Sequence, residues 1–196
     1  FSIVRLEGMD FHGKTAGVIG TGKIGRVFMD ICKGFGMHVI AYDLYPDTSS
    51  DIEYVGLDDL LRKSDIISLH CPLTEQTYHM MDENAFGKMK EGALLVNTSR
   101  GGLVSSDALL NAVKKRKLAG VALDVYEEEA AFFYEDMSHV IRRNENLATL
   151  LSFPNVLITS HQAYLTKEAL HNIAEVTLRN LDDYFDGRLS FSTNVC

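Results

Sequence analysis

At 196 residues, 46% hydrophobic and 23% charged, the chain has the composition of an ordinary globular protein with one large core or two small ones. A formal net charge of −8 argues against sequence-independent binding to nucleic acid or to an anionic membrane, because both need clustered Lys and Arg. Cys32, Cys71 and Cys196 lie far apart and never in C-x-x-C spacing, so neither a disulfide framework nor a zinc site is suggested, and no apolar run is long enough to span a bilayer. With no basic-then-apolar leader, the expectation is a cytoplasmic protein.

Phe1 opens the chain where Met would be expected, and the first ten residues carry no start signal, so the chain reads as part of something longer. A short apolar run, Ala16 to Ile19, leads straight into Gly20-Thr-Gly22-Lys-Ile-Gly25. Ile24, Val27, Phe28 and Ile31 then recur at helical spacing and predict one buried helix face. This is strand, tight turn, helix. Gly20 turns the chain, Gly22 lets a pyrophosphate approach the backbone, and Gly25 lets the helix sit close on the strand. Phosphates would rest on the free N–H groups that start the helix.

Gly34-Phe-Gly36 stops that helix, His38 to Tyr42 reads as a buried strand, and Asp43 ends it. An acidic residue roughly 20 positions past the first glycine is what a dinucleotide site needs, where it accepts hydrogen bonds from the adenosine ribose. A carboxylate there repels a 2′-phosphate, which favours NAD over NADP. A turn-rich loop with Pro46 follows, then a third strand over Ile52 to Val55 and a short helix carrying Leu57, Leu60 and Leu61. Ile66 to Leu69 is the fourth strand, stopped by His70-Cys71-Pro72 because proline cannot donate to a ladder. Asp82 to Met89 reads as helix, Ala93 to Val96 as the fifth strand, and Ser106 with Asp107 starts a helix bearing Leu109, Leu110 and Val113.

The basic run Lys114 to Lys117 falls at that helix's end, where cations suit the dipole. Ala119 to Leu123 is the sixth strand, followed by Asp124-Val-Tyr-Glu-Glu-Glu129. Ala130 to Ser138 is irregular, His139 to Leu151 helical, and Asn155 to Ile158 the seventh strand, running to Ser160-His161-Gln162. Thr166 can cap a long amphipathic helix that Gly187 ends. Apolar strands alternating with helices predict an α/β fold, a Rossmann-type doubly wound, mainly parallel sheet of about seven strands, in one domain spanning 1–196.

In such a sheet ligands bind beyond the carboxyl ends of the strands, which singles out His70, Arg100, Asp124, Glu129 and His161. A guanidinium, a carboxylate and an imidazole after three successive strands suit hydride transfer to a 2-oxo acid. Arg100 would hold the substrate carboxylate, an imidazole would supply the proton, and Glu129 would tune that imidazole. Asp124 could accept from the nicotinamide carboxamide. On pattern alone the imidazole is His161 or His70, Arg100 could instead bind cofactor phosphate, and Glu127 and Glu128 read as a solvated acidic face.

Taken in order, Gly20-Thr-Gly-Lys-Ile-Gly25, His70-Cys-Pro-Leu-Thr74, Asn97-Thr-Ser-Arg-Gly-Gly-Leu-Val104, Ala122-Leu-Asp-Val-Tyr-Glu-Glu-Glu129 and His161-Gln-Ala resemble the D-isomer-specific 2-hydroxyacid dehydrogenases, from about Leu6 to Gly187. Within the family, the Phe132-Phe-Tyr-Glu-Asp136 insertion and His161-Gln-Ala-Tyr-Leu-Thr166 look most like the D-lactate branch, which reduces pyruvate with NADH. The resemblance implies that Arg100, Glu129 and His161 are catalytic. It implies cofactor binding by Gly20, Gly22, Lys23, Ile24, Gly25, Asp43, His70, Cys71, Pro72, Thr98 and Asp124, with His70 part of the cleft wall, and it sets Tyr164 beside the substrate.

It also implies a homodimer paired through cofactor domains, acting on a small 2-oxo or 2-hydroxy acid. Residues 1–9 and 189–196 would be stubs of connections to a substrate domain that is absent here, so the isolated chain is expected to bind NAD(H) but turn over poorly. The alternatives are a branched-chain or glyoxylate-type specificity, or a non-catalytic NAD(H)-sensing module.

Overall fold

A computed structural model of the chain describes residues 8–129 and 145–188, which divide between two units, Phe1–Ser160 and His161–Cys196. The first unit holds six parallel strands among its described residues: β1 (Thr15–Ile19), β2 (His38–Tyr42), β3 (Ile66–Leu69), β4 (Ala93–Asn97), β5 (Leu118–Leu123) and β6 (Val156–Ile158). Their order across the sheet is β2-β1-β3-β4-β5-β6. The helices between them are α1 (Lys23–Gly34), α2 (Leu57–Lys63), α3 (Glu83–Lys88), α4 (Ser106–Lys114) and α5 (Glu145–Leu151). The second unit holds α6 (Lys167–Phe185), capped by the Thr166 hydroxyl, which accepts from Ala169 N at 3.1 Å, and ended by Gly187 at φ 68°.

The sheet order dictates which face each helix of the first unit covers. From β1 the chain moves to one side to reach β2, then returns across β1 to β3 and keeps going. Right-handed crossovers in opposite directions put their helices on opposite faces. Side chains alternate accordingly: Ala16 and Val18 pack with Cys32 and Met29 of α1, whereas Ile19, Ile67 and Leu95 pack with Leu60, Phe86, Leu109 and Leu150 of the other helices. The reversal beside β1 leaves a crevice at the carboxyl ends of β1 and β3, where ligands bind in open α/β sheets.

Two expectations need correction. The stretch Ile52 to Val55 does not form the third strand expected there, which leaves six strands rather than seven among the described residues; Tyr54 makes a single parallel bridge to Ala41 at the outer edge of β2, held by Ala41 N to Glu53 O and Val55 N to Ala41 O, each 2.9 Å. Gly56 caps α2 immediately afterwards, so the ladder has no room to extend. The second correction concerns α1, whose buried residues are Gly25, Met29 and Cys32, while Ile24, Val27 and Ile31 are 72, 60 and 52% exposed. A Cβ on Gly25 would lie 2.1 Å from the Gly20 carbonyl oxygen. The bare glycine is what lets the helix touch the sheet, and the residues one and two turns further along that face are Met29 and Cys32.

The insertion at Phe132–Asp136, the irregular stretch to Ser138 and the first part of the helix expected from His139 lie outside the described residues. So do the stub expected at 189–196 and most of that at 1–9.

Candidate active site

The carboxyl end of β1 forms the cradle that the glycine spacing predicts. Gly20 has φ 97°, and a Cβ there would come within 2.5 Å of Cys71 N, so the turn is open to glycine alone. Gly22 caps α1 with no side-chain partner, and a Cβ on it would meet nothing within 4 Å. The N–H groups of the first turn, at Lys23 and Ile24, therefore open onto accessible space at the positive end of a helix dipole.

Asp43, just past β2, is fixed rather than merely present. Its Oδ2 accepts from Thr21 N at 2.7 Å and Thr21 Oγ1 at 2.8 Å, and its Oδ1 accepts from Tyr45 N at 2.9 Å. Burial raises the carboxyl pKa, but the donors from Tyr45, Thr21 and Leu44 outweigh it and hold the group below the usual carboxylate range. Tyr54 Oη, 2.9 Å from Thr21 Oγ1, continues the network, and Arg26 Nε donates to Thr21 O at 3.0 Å. Asp43, Gly22, Cys71 and Pro72 line a cavity of about 300 Å³. Its size, its glycine-lined helix start and its anchored carboxylate fit the adenosine half of a dinucleotide.

His70 and Cys71 follow β3. The His70 Nε2 shares a 2.9 Å hydrogen bond with Ser68 Oγ, its ring lies 5.1 Å from that of Phe28, and burial pushes its pKa down. An imidazole held neutral in this way makes a poor proton donor near neutral pH. Burial pushes the Cys71 thiol up to about 11, and its Sγ sits 3.6 Å from the Met80 sulfur, so it forms wall rather than nucleophile.

Beyond β4 the turn 97–100 is built around Asn97, which is fully buried. Its Nδ2 donates to Arg100 O at 3.0 Å, its Oδ1 accepts from Ser99 N at 3.0 Å, and its carbonyl accepts from Asp124 N at 2.9 Å. Ser99 Oγ ties the same turn to Cys71 O at 2.7 Å. Thr98 is exposed, as is the Arg100 side chain, whose Nη1 donates to Ser99 O at 2.7 Å. Asp124 is buried and accepts from Thr159 Oγ1 at 2.5 Å. Glu129 Oε2 accepts from Tyr126 N at 3.0 Å, which closes a tight turn behind β5. Arg100, Asp124 and Glu129 thus stand on two hydrogen-bonded turns at adjacent strand ends. His161, at φ 51°, and the exposed Tyr164 begin the second unit.

The reading of Glu127 as solvated is corrected: its side chain is 19% exposed, accepts from Ser106 N at 2.9 Å and takes the His79 Nε2 donor. Three acidic residues in a row carry no pattern that says which one turns inward. Thr21, Asn97, Ser99 and His79 are likewise structural partners of the site that pattern reading passed over. For Thr21, Asn97 and Ser99 the available signal was their place beside glycine turns, where short polar side chains bond backbone.

Residues 3–163 match the D-isomer specific 2-hydroxyacid dehydrogenase family, in its NAD-binding domain. The chain is 52% identical over 186 residues to 2-hydroxyacid dehydrogenase A of Aspergillus oryzae, covering 94% of this chain and 54% of that one. It is 47% identical over 190 residues to D-lactate dehydrogenase of Escherichia coli K12, covering 95% and 58%. The fold matches the structure of Aquifex aeolicus D-lactate dehydrogenase complexed with NAD and lactic acid, with a TM-score of 0.87, 35% identity and coverage of 93% and 56%. The chain therefore spans somewhat more than half the length of these relatives.

Proposed function

Because the chain belongs to the D-isomer-specific 2-hydroxyacid dehydrogenase family and carries its NAD-binding domain, we propose that it is the cofactor- and catalysis-bearing part of an NAD-dependent D-lactate dehydrogenase. The observation that carries this reading is the joining of the Arg100 and Glu129 turns at the ends of β4 and β5, on the sheet edge that also presents Asp43. The cofactor supplies a hydride to the carbonyl carbon of pyruvate.

The chain's own residues do the rest. Gly20, Gly22, Lys23, Ile24 and Gly25 hold the pyrophosphate, Asp43 accepts from the adenosine ribose, and His70, Cys71, Pro72 and Thr98 line the cleft. Asp124 accepts from the nicotinamide carboxamide. Arg100 holds the pyruvate carboxylate through two parallel N–H donors and polarises the adjacent carbonyl. His161 donates its proton to the carbonyl oxygen as the hydride arrives, and Glu129 is the carboxylate that orients this imidazole. Tyr164 borders the substrate. A stereospecific assay of pyruvate reduction by the full-length protein, run against longer and branched 2-oxo acids, tests the reading. L-lactate as product, or no turnover of any 2-oxo acid, would remove it.

Asp43→Ala is expected to weaken NADH binding roughly 10- to 100-fold, since a hydrogen bond to a charged group contributes about 1.5–3 kcal/mol. It should also narrow the preference for NADH over NADPH, because the repelling carboxylate is gone. Fluorescence titration with both cofactors checks this. An unchanged affinity ratio would take Asp43 out of the ribose site.

We also read the protein as a cytoplasmic homodimer. Both described cysteines are unpaired and buried, and no described helix is long and apolar enough to cross a membrane. The exposed stripe of Ile24, Val27 and Ile31 on α1 supports pairing, because contiguous apolar surface on a helix favours a partner. Ile31→Glu enters a two-fold interface twice and buries unpaired charge there, so the dimer dissociation constant should rise on the order of 100-fold. Light scattering across protein concentration reads this directly, and a dimer as tight as before would move the interface elsewhere.

A further inference from the structure

We propose that His79 is a positioning residue that ties the turn carrying Arg100 to the turn carrying Glu129, its backbone N–H held by the first and its ring by the second. The inference rests on the catalytic reading of Arg100 and Glu129 given above. His79 has φ 52°, a left-handed conformation uncommon for a residue with a side chain, though histidine adopts it more readily than most. In that conformation it meets both turns at once. Its N–H donates to Gly102 O at 2.8 Å, two residues past Arg100. Its Nε2 donates to the Glu127 carboxylate, two residues before Glu129.

Each end of this bridge is secured independently. Met81 N donates to Leu103 O at 3.0 Å and Ser105 N to Met81 O at 3.1 Å, so the segment after His79 runs bonded alongside the Arg100 turn. The Tyr78 ring stacks on His79 at 3.9 Å and 19°. Glu127 also accepts from Ser106 N at 2.9 Å, at the positive start of α4, and from Tyr78 Oη at 3.4 Å. Burial raises its pKa, but the Ser106 and His79 donors outweigh it and keep the group ionised, the form that can only accept.

The two turns are in close contact besides: a Cβ on Gly101 would lie 2.1 Å from Tyr126 O. Since Glu129 bonds back to Tyr126 through both its N–H and its carboxylate, the position of residues 126–127 sets that of Glu129. Without the His79 bridge, Arg100 and Glu129 could slide relative to one another across this glycine contact. Displacements of about 1 Å from a distant substitution are enough to cost on the order of 10²-fold in rate.

The test uses the full-length protein with pyruvate and NADH. His79→Asn keeps a side chain that tolerates left-handed φ but cannot reach Glu127, and Glu127→Ala removes the acceptor. Both are expected to lower kcat/KM roughly 10- to 100-fold, mainly by raising KM for pyruvate, with the NADH dissociation constant within about twofold of wild type. Glu127→Gln retains an acceptor oxygen and should recover most of the loss, and the double variant should be no worse than either single one. If His79→Asn fails to bind NADH and so does not fold, the Glu127→Ala and Glu127→Gln pair decides alone. Single variants with a lowered melting temperature but unchanged kcat and KM would show a structural role only and overturn the inference, while an inactive Arg100→Gln would leave the catalytic reading standing. Arg100→Gln at the wild-type rate would overturn both.

Discussion

Replacing His161 with alanine is expected to lower kcat for pyruvate reduction by on the order of 10²- to 10⁴-fold, the usual share of a positioned general acid. The affinity for NADH should stay close to wild type, because the imidazole acts on the substrate carbonyl and not on the adenosine or phosphate sites. The carbonyl oxygen acquires negative charge as the hydride arrives, and without a donor it must draw its proton from water. Steady-state turnover paired with NADH fluorescence titration separates the two effects. A variant retaining most of its rate would remove His161 as the acid, and with His70 held neutral against Ser68 and Phe28 the proton would need another source.

Arg100→Gln should be as damaging by a different route. A guanidinium facing a planar carboxylate makes two charge-assisted bonds, and truncating one partner of such a pair costs about 2–5 kcal/mol, roughly 30- to 5,000-fold in kcat/KM. Here the loss should fall on both KM and kcat, since Arg100 holds the ground-state carboxylate and polarises the reacting carbonyl. Arg100→Lys should recover little, because an ammonium on a flexible stem offers a point charge and no fork. The backbone of the turn should survive either change: the Asn97 side chain bonds Arg100 O and Ser99 N, Ser99 Oγ bonds Cys71 O, and among the described residues the Arg100 side chain bonds its neighbour's carbonyl. Wild-type KM in Arg100→Gln would make the residue a cofactor contact rather than a substrate clamp.

The cofactor half of the site was legible in the sequence. Gly20, Gly22, Gly25 and Asp43 are found by spacing because each answers a local demand: a left-handed turn, an open helix start, a close helix-to-strand contact and an acid at the next strand end. The family motifs around Arg100, Asp124 and Glu129 sit at strand ends whose existence apolar runs alone announce. What could not be read were the partners. Glu127, Glu128 and Glu129 are chemically identical, and it is the neighbouring Ser106 N–H, the His79 ring and the Tyr78 hydroxyl that single out Glu127. His79 comes in a polar stretch with no periodicity, and its left-handed backbone leaves no mark on composition.

Local order and chemistry thus follow from the chain itself: which segments are strands or helices, that the sheet is parallel, and that a dinucleotide cradle opens after the first strand. Burial belongs to the tertiary structure. Helix α1 is apolar on two sides, and periodicity chose the side with Ile24, Val27 and Ile31, but the sheet took the side with Gly25, Met29 and Cys32. The Ile52 to Val55 stretch has strand-like residues and yet makes one bridge, because it reaches only the outermost strand before Gly56 turns it into α2. In each case the deciding quantity is how closely another piece of backbone can approach, which is a property of two segments together and is carried by neither alone.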